Sequence, residues 1–500
     1  MVAIMENIYI DIGAKRIQTW ISKPVKLKYV RGGSLLLSKE TSKHEIEKWL
    51  NDEGFSDLEV AAEAGDIDGV VVLKNLDSLA VTDERADEVA KKLLLHLNDR
   101  IPGVDWSGWC CRANTFLEAY QLAAMKDSSE RSYQLVPSVS EFSGLSSCTG
   151  CKSEPSIKSF EKVDEYLGKD CLSRFENASS DDFLYWGGWS LPEDFDDLAR
   201  RRGKGFSGQR LRNHIATICA DGNRIGALFD KFNQHAELAK IKTEAIAWLT
   251  FCTEEAVNKA ANEVRGEGEN GCVVIPHYVG GDDVLVSVVA DQAWRFAVEL
   301  IKSFEEIKEY YLADIDEVPL SKDVKNELED LVSNVSLGVG MVFSRYSYPF
   351  YECRHKAEEA LSYAKQTTQG KQSAICWMDL TEGGGNSQYT EDKYVISYKD
   401  ASSQLNDESK VPDVIGMLTS SAQHNLRNQM IAWKQEHPKN SGETSSKWLE
   451  ECSEYLEKWI IRTRDEEDEK ICIDINTLEA DLHRARWWPN NAGDKEKSSS

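Results

Sequence analysis

The chain has 500 residues, of which 85 are acidic and 59 are basic, so its formal net charge is −26 at pH 7. This acidic balance argues against tight non-specific binding of duplex nucleic acid, so any contact with RNA has to be local or shared with a partner. No stretch approaches the roughly 20 apolar residues of a membrane span, and no signal-peptide pattern is present, so we expect a cytoplasmic protein of about three domains without membrane contact.

We expect residues 1–135 to form a first domain. Within it, residues 23–31 carry four Lys or Arg side chains and form one of two local basic segments; the other is residues 200–204. Each segment is a candidate RNA contact, and each is alternatively a solvated face.

The twelve cysteines of this chain predict buried thiols rather than a disulfide framework. One group stands out in residues 136–205, the linker and helical segment predicted after the first domain. Cys148 and Cys151 form a C-x-x-C knuckle with a glycine inside it, and Cys171 follows twenty residues later. We expect these three thiols to hold a structural Zn²⁺, and the alternative is a vestigial knuckle without metal. The fourth ligand is left open among Asp170, Cys110 and Cys111.

Residues 206–395 predict a second domain, which begins with a strand that ends in an acidic residue. The apolar run at residues 216–220 leads into Asp221, Gly222 and Asn223, and a helix is expected to start at residue 224. A second helix is expected over residues 240–263. The order is therefore strand, helix, hairpin.

The hairpin carries two carboxylates at its tip. The tetrapeptide Gly280-Gly281-Asp282-Asp283 lies between the apolar runs 273–275 and 284–286. Glycines let the backbone approach a bulky anion, and adjacent aspartates offer the hard oxygen ligands that Mg²⁺ prefers. With Asp221 on the neighbouring strand, this pattern is typical of two-metal phosphoryl transfer. The alternative for an isolated match is a simple polar turn.

Downstream of the hairpin, the pattern predicts helix 291–311, buried strand 335–343 and helix 351–366. The last helix ends near Lys365, whose ammonium could reach a polyphosphate from the side opposite the metals.

The C-terminal part of the chain has a different pattern. After a short strand at residues 394–396, residues 396–490 predict a small helical bundle with helices at 413–435 and 445–464. Its five tryptophans are interpreted as core residues. Residues 491–500 are predicted to be disordered.

Four motifs occur in the order found in one known family. They are residues 220–226, 280–283, 336–340 and 357–365. With these motifs the chain resembles the large polymerase-like subunit of type III CRISPR effector complexes, a relative of GGDEF-type cyclases. The N-terminal residues 16–21 and 26–34 are similar to the start of the first palm domain of that family. By this resemblance, residues 8–12 would be the first strand of that palm and residues 69–74 a later one.

The resemblance implies an α+β fold with two ferredoxin-like palm domains. The first palm would lack the metal-binding acids, the second would be catalytic, and a zinc or helical segment would lie between them. Family members usually complete the zinc site with a second C-x-x-C, but this chain has glycine at position 168. A helical C-terminal domain would contact the RNA-guided complex.

The resemblance also implies synthesis of a nucleotide messenger from ATP. Asp221 and Asp282 would bridge two Mg²⁺ or Mn²⁺ ions with support from Asp283, and Lys365 would assist electrostatically. The backbone at Gly222 and Asn223 would add metal ligands or phosphate contacts. Gly280 and Gly281 at the hairpin tip would leave room for the nucleotide. Cyclic oligoadenylate is the implied product, with ring size, linkage and base choice left open.

The implied partners are other CRISPR effector subunits and guide and target RNA. None of the nine histidines is followed by aspartate, so no HD-type DNase activity is expected. Two other interpretations remain: a stand-alone cyclic nucleotide synthase, and a non-enzymatic scaffold. A scaffold predicts decayed acids, whereas all three acids are present.

Overall fold

The computed structural model describes residues 6–24, 27–65, 67–76, 81–125, 132–135, 146–160, 165–177, 190–204, 213–234, 238–268, 271–315, 321–381, 394–406, 420–436, 451, 454–456, 458, 480–481, 484 and 487–488. Within this part of the chain, none of the helices combines the length and the apolar character that crossing a membrane requires.

The described strands form two large sheets and one small ribbon. They are β1 (Asn7–Lys15), β2 (Leu58–Val60), β3 (Val70–Asn75), β4 (Asp105–Ala113), β5 (Ser132–Leu135), β6 (Lys158–Phe160), β7 (Glu165–Leu167), β8 (His214–Asn223), β9 (Val274–Gly280), β10 (Asp283–Val289), β11 (Ser336–Arg345), β12 (Ala374–Asp379) and β13 (Val395–Ser397).

The described helices are interspersed with these strands and are numbered in chain order. They are α1 (Ile17–Ile21), α2 (Leu27–Thr41), α3 (Lys43–Asp52), α4 (Asp83–Arg100), α5 (Phe116–Met125), α6 (Lys169–Glu176), α7 (Phe195–Arg200), α8 (Ile225–Gln234), α9 (Lys242–Val264), α10 (Ala293–Ile315), α11 (Lys322–Ser333), α12 (Phe350–Thr368), α13 (Tyr398–Asn406) and α14 (Ser420–Glu436).

Both large sheets have the same central strand order. The first sheet runs β2-β3-β1-β4-β5, and the second runs β13-β12-β11-β8-β10-β9. In the first sheet β1 lies between β4 and β3, and in the second sheet β8 lies between β11 and β10. In both sheets this strand is the first of four, and it pairs with the later strand of the hairpin and with the fourth strand. This is the ferredoxin-like arrangement. The predicted α+β fold with two palm domains is therefore confirmed, whereas the domain boundaries given above stay predictions.

The two sheets differ at the hairpin tip. In the first sheet β3 begins at Val70, which pairs with Gly13 of β1. In the second sheet Val284 pairs with Ala220, so that Asp283 and Asp221 come at the corresponding place. The equivalent positions of the first sheet are therefore apolar or glycine and carry no acid.

Alternation along β8 divides its side chains between two layers of helices. Ala216, Ile218 and Ala220 share a core with residues of α9 and α10, and the opposite face of β8 packs against α12. Helix α12 lies directly on the backbone of β11, where a Cβ on Gly340 would overlap the carbonyl oxygen of Ala357. This close approach brings the C-terminal half of α12 over the end of β8.

The segment between the sheets is tied to the first sheet by a buried arginine. Arg174 of α6 is fully buried and donates to Asp170 at 2.7 Å. It also donates to the carbonyl oxygens of Trp20 and Ile21 at 2.8 and 3.1 Å.

Two of the C-terminal tryptophans pack on the second sheet. The Trp487 ring stacks on Phe343 with 5.3 Å between centroids, and its Nε1 donates to Asp379 at 2.8 Å. Trp488 lies 5.1 Å from Trp294. Of the predicted C-terminal helices, α14 covers most of the first. The predicted helix 445–464, apart from isolated residues, and the predicted disorder of residues 491–500 lie outside the described residues.

We expect Gly340→Ala to lower the free energy of unfolding by about 2 kcal/mol, because overpacking a fixed helix–strand contact costs on the order of 1–3 kcal/mol. Gly226→Ala is the matched control, since a Cβ there meets nothing within 4 Å, and alanine in a helix is favoured over glycine by up to about 1 kcal/mol. Thermal and denaturant unfolding of both variants measure the difference. Equal stability of the two variants would contradict the packing described for α12.

Candidate functional site

The acidic hairpin is built as the sequence predicts. Strands β9 and β10 pair through Asp283 and Gly280, and the turn consists of Gly281 and Asp282. Gly281 adopts a left-handed backbone conformation with φ +60°, which glycine tolerates without steric penalty. The turn therefore presents Asp282 at the tip and Asp283 at the first position of β10.

Asp221 reaches the same place from β8. A Cβ on Gly222 would lie 3.0 Å from the Cβ and from one carboxylate oxygen of Asp282, so glycine at position 222 makes room for the hairpin acid. The Asp221 and Asp282 carboxyl groups interact, and this interaction raises the pKa of Asp282. Asp282 and Asp283 are adjacent in sequence, and Asp221 lies 61 positions before Asp282. The three acids thus meet at one end of the strands of the second sheet.

Lys365 of α12 contacts Asp221 directly. Its Nζ forms an ion pair with the Asp221 carboxylate and donates to the Gly222 carbonyl oxygen at 3.0 Å. Gly338 of β11 permits this path, because a Cβ there would lie 3.0 Å from Lys365 Cγ. The Lys365 ammonium is predicted above to contact a polyphosphate from the side opposite the metals. In the structure it forms its ion pair with Asp221 itself.

The electrostatics of the site favour binding of a cation. Burial, together with the hydrogen bond to Asp221 and the charges of Asp221 and Asp283, raises the pKa of Asp282 to about 8. Burial and the Asp221 charge raise the pKa of Asp283 to about 6, while the Gln18 amide opposes this shift. Hard carboxylate oxygens that repel one another and attract an ammonium fit Mg²⁺ or Mn²⁺.

The remaining predicted nucleotide contacts lie around the acids. The Asn223 side chain is buried and donates to Ser336 Oγ at 2.8 Å, so its amide braces β8 against β11. A Cβ on Gly280 would lie 3.1 Å from the Tyr278 hydroxyl. The Asn223 amide is thus engaged within the protein, and contact of a nucleotide with the backbone at Gly222 and Asn223 stays a prediction.

Two further residues, which belong to no acidic motif, lie next to this site. Gln18 of α1 donates to Asp283 at 3.0 Å, and Arg354 of α12 donates to the backbone carbonyl oxygen of Gln18. Gln18 and Asp283 are 265 positions apart. No local pattern could have indicated this contact.

The cysteine knuckle forms a second site, away from the acids. The ligand atoms of Cys148, Cys151, Glu154 and Cys171 all lie within 4.8 Å of one another. Gly150 allows Cys171 to approach, because a Cβ at position 150 would lie 2.8 Å from its Sγ. The three predicted thiols are therefore brought together.

The fourth member of this site is Glu154, which the sequence analysis did not consider. Of its three candidates, Asp170 is engaged by Arg174. Cys110 and Cys111 lie on β4 and belong to other core clusters. A Cβ on Gly168 would overlap the Glu154 carboxyl group. The glutamate thus fills the space of the side chain that a second C-x-x-C would place at position 168.

The donor set of the knuckle fits a tetrahedral ion. Hydrogen bonds from Cys151 and Cys171 lower the pKa of the Cys148 thiol, and the same contact with Cys148 raises the pKa of Cys171. One thiolate is therefore favoured in this buried cluster, and a bound Zn²⁺ would favour the others. Sulfur and carboxylate oxygen are both ordinary zinc ligands.

The two basic segments are engaged within the protein. Most of their described Lys and Arg side chains contact an acid or a carbonyl oxygen: Lys23 with Asp170, Lys28 with Glu165, Arg31 with the Pro192 carbonyl, Arg200 with Asp196, Arg201 with Asp197, and Lys204 with Glu263. Direct RNA contact at these segments stays a prediction.

The fold and the acidic hairpin define a tandem palm protein. Residues 214–375 match the family model described as Cas10/Cmr2, second palm domain. The resemblance to the large subunit of type III CRISPR complexes is thereby confirmed, and the second sheet is a palm domain of the Cas10/Cmr2 kind. No curated protein gives a significant match to the chain.

Solved structures of Csm1 are similar in fold to this chain. Csm1 of T. onnurineus is 13% identical, with 98% of this chain and 68% of that chain covered and a TM-score of 0.52. Csm1 in a Csm1–Csm4 cassette with cA4 is 12% identical, covering 98% and 69%, with a TM-score of 0.52. The cassette with AMPPNP is 11% identical, covering 96% and 70%, with a TM-score of 0.52. At these identities the likeness establishes the fold.

We expect Asp282→Asn to raise the Tm of the metal-free protein at pH 8.5 by about 1–3 °C, because it removes a buried, repelled charge. The pKa of Asp282 is raised in the folded state to about 8, so the wild-type protein loses stability as pH rises from about 4 to 8. The gain should therefore shrink as pH falls towards 4. Thermal unfolding in EDTA measures it, with exposed Asp230→Asn as the control. A lower Tm for Asp282→Asn at pH 8.5 would contradict the repulsion.

We expect protein purified without chelator to contain about one equivalent of zinc, and Glu154→Ala or Cys171→Ser to lose it and to lower the Tm. The double variant Glu154→Ala/Gly168→Cys should regain zinc, since a thiolate would replace the carboxylate from the position that Glu154 fills. Elemental analysis measures the content, and Cys111→Ala should keep it. Less than about half an equivalent in the wild-type protein favours the vestigial knuckle.

Proposed function

We propose that the chain is a Mg²⁺-dependent nucleotidyltransferase that makes cyclic oligoadenylate from ATP. The observation that carries the proposal is the meeting of Asp221, Asp282 and Asp283 with the Lys365 ammonium at the end of a palm sheet. The match to the Cas10/Cmr2 second palm supports it. So do the similar Csm1–Csm4 structures, which are complexes with cA4 and with AMPPNP.

Asp221 and Asp282 would hold the cations, and Asp283 would support them from the start of β10. Bound metal ions supply activation of a ribose hydroxyl and charge neutralisation at the phosphates. The hydroxyl oxygen forms a bond to the α-phosphorus of a second ATP, its proton passes to solvent water, and pyrophosphate leaves with the electrons of the broken P–O bond.

Lys365 has two roles in this proposal. Its ammonium balances Asp221 when no cation is bound. When the carboxylate turns to a cation, the same ammonium is free to face the polyphosphate, where it stabilises the charge that develops on the leaving group. Gly280 and Gly281 have no side chains that would keep a nucleotide from the hairpin backbone.

We also propose that the chain works with other CRISPR effector subunits and with guide and target RNA, and that the cysteine site holds a structural zinc. Several of the similar structures contain Csm1 together with Csm4. Turnover that depends on a guide-RNA complex and matching target supports this arrangement. Full turnover by the isolated chain would instead favour a stand-alone synthase.

We expect Asp221→Ala and Asp282→Ala to reduce pyrophosphate release from ATP with Mg²⁺ by roughly 100-fold or more, because each removes a charged ligand that the site requires. Lys365→Met should reduce it less, and Lys365→Arg should retain more activity than Lys365→Met, since it keeps the charge. Asp230→Ala, an exposed acid on α8, is the control. Unchanged pyrophosphate release by Asp221→Ala and Asp282→Ala would overturn the assignment.

A further inference from the structure

Helix α1 of the first palm reaches the acidic hairpin of the second. Its Gln18 side-chain amide donates to one carboxylate oxygen of Asp283 at 3.0 Å. Gln18 itself is exposed, so its position follows from what holds its backbone rather than from burial of its side chain. The helix has only five residues, and so short a helix has little stability of its own.

Arg354 holds α1 from the side of the second palm. Its guanidinium is buried, donates to the Gln18 carbonyl oxygen, and donates to Glu358 of its own helix at 3.3 Å. Because Arg354 and Lys365 both lie on α12, the helix that brings the ammonium to Asp221 also fixes the residue that contacts Asp283.

Arg174 holds the other end of α1. It donates to the carbonyl oxygens of Trp20 and Ile21, and its guanidinium carbon lies 3.9 Å from the Trp20 ring centroid. The last carbonyls of a helix have no partner within the helix, so a buried arginine is well suited to them. Arg174 shares α6 with Cys171 of the cysteine site.

Fixing Gln18 from both sides limits the orientations available to Asp283. The carboxylate is partly buried and is repelled by the charge of Asp221, and it in turn repels the neighbouring Asp282. A neutral amide donor on one oxygen holds the group in place without cancelling its charge, and leaves the other oxygen for a cation.

We propose that Gln18 is a positioning residue that holds Asp283 in the orientation needed for metal binding, so that the first palm sets the geometry of the acidic site in the second. The inference rests on the proposed function, in which Asp283 supports the metal ions. It assigns to a domain without the acidic hairpin a direct contact with the metal-binding group.

The test compares Gln18→Met, which keeps the length of the side chain and removes the donor, with Thr19→Ala, an exposed neighbour on the same helix. Mn²⁺ binding is measured by electron paramagnetic resonance without nucleotide, and turnover is measured as a function of Mg²⁺ concentration. Gln18→Met should bind Mn²⁺ about threefold to tenfold more weakly, because a hydrogen bond to a charged group is lost. Its turnover should recover at high Mg²⁺. Thr19→Ala should match the wild-type protein.

Arg354→Met should shift the Mn²⁺ affinity in the same direction through the backbone of Gln18. Wild-type affinity and Mg²⁺ dependence in Gln18→Met overturn the inference and leave the proposed function standing. A wild-type protein that binds Mn²⁺ but releases no pyrophosphate even with the guide-RNA complex and matching target present, with weaker binding in Gln18→Met, overturns the proposed function and supports the positioning role. Absence of Mn²⁺ binding in the wild-type protein overturns both.

Discussion

Mutual repulsion among three carboxylates at the end of the second sheet is the constraint to which the surrounding structure responds. Glycine at position 222 admits Asp282, glycine at 338 admits the Lys365 side chain, and glycine at 340 lets α12 lie close enough to deliver that lysine. Each of these glycines leaves out a Cβ that would push the charged groups apart. The packing of α12 on β11 and the electrostatics of the acids are thus one arrangement, since the helix carries the compensating charge.

Much of this arrangement could be predicted from local sequence. Strands and long helices around the acidic hairpin follow from apolar periodicity, and the turn follows from its glycines. The prediction that Asp221 meets Asp282 needed only the strand order of a palm. What sequence could not supply was the contact of Lys365 with Asp221 and the approach of Gln18, because both depend on how helices lie over a sheet or between two sheets.

The cysteine site shows the same limit more sharply. Spacing indicated three ligands, and glycine at position 168 indicated that the fourth was missing. Glu154 lies only three residues beyond Cys151, and its carboxylate accepts a hydrogen bond from the Cys171 backbone N–H at 3.2 Å. A glutamate near a knuckle has no distinctive spacing, so the space left by Gly168 is its clearest signal, and that signal requires coordinates. The C-terminal tryptophans were interpreted as the core of a bundle, but Trp487 and Trp488 pack on the second palm instead.

The presence of both sheets in one chain affects how fast the two palms can pair. Cyclases that assemble a site from two identical chains depend on the rate and the concentration at which the chains meet. Here both sheets belong to one polypeptide, so their encounter is intramolecular, with an effective concentration that for short linkers is of millimolar order. Dilution should therefore leave the pairing of the two palms intact. Any control over it has to act through the shape of the single chain, in which the hairpin of the second sheet carries the paired acids Asp282 and Asp283.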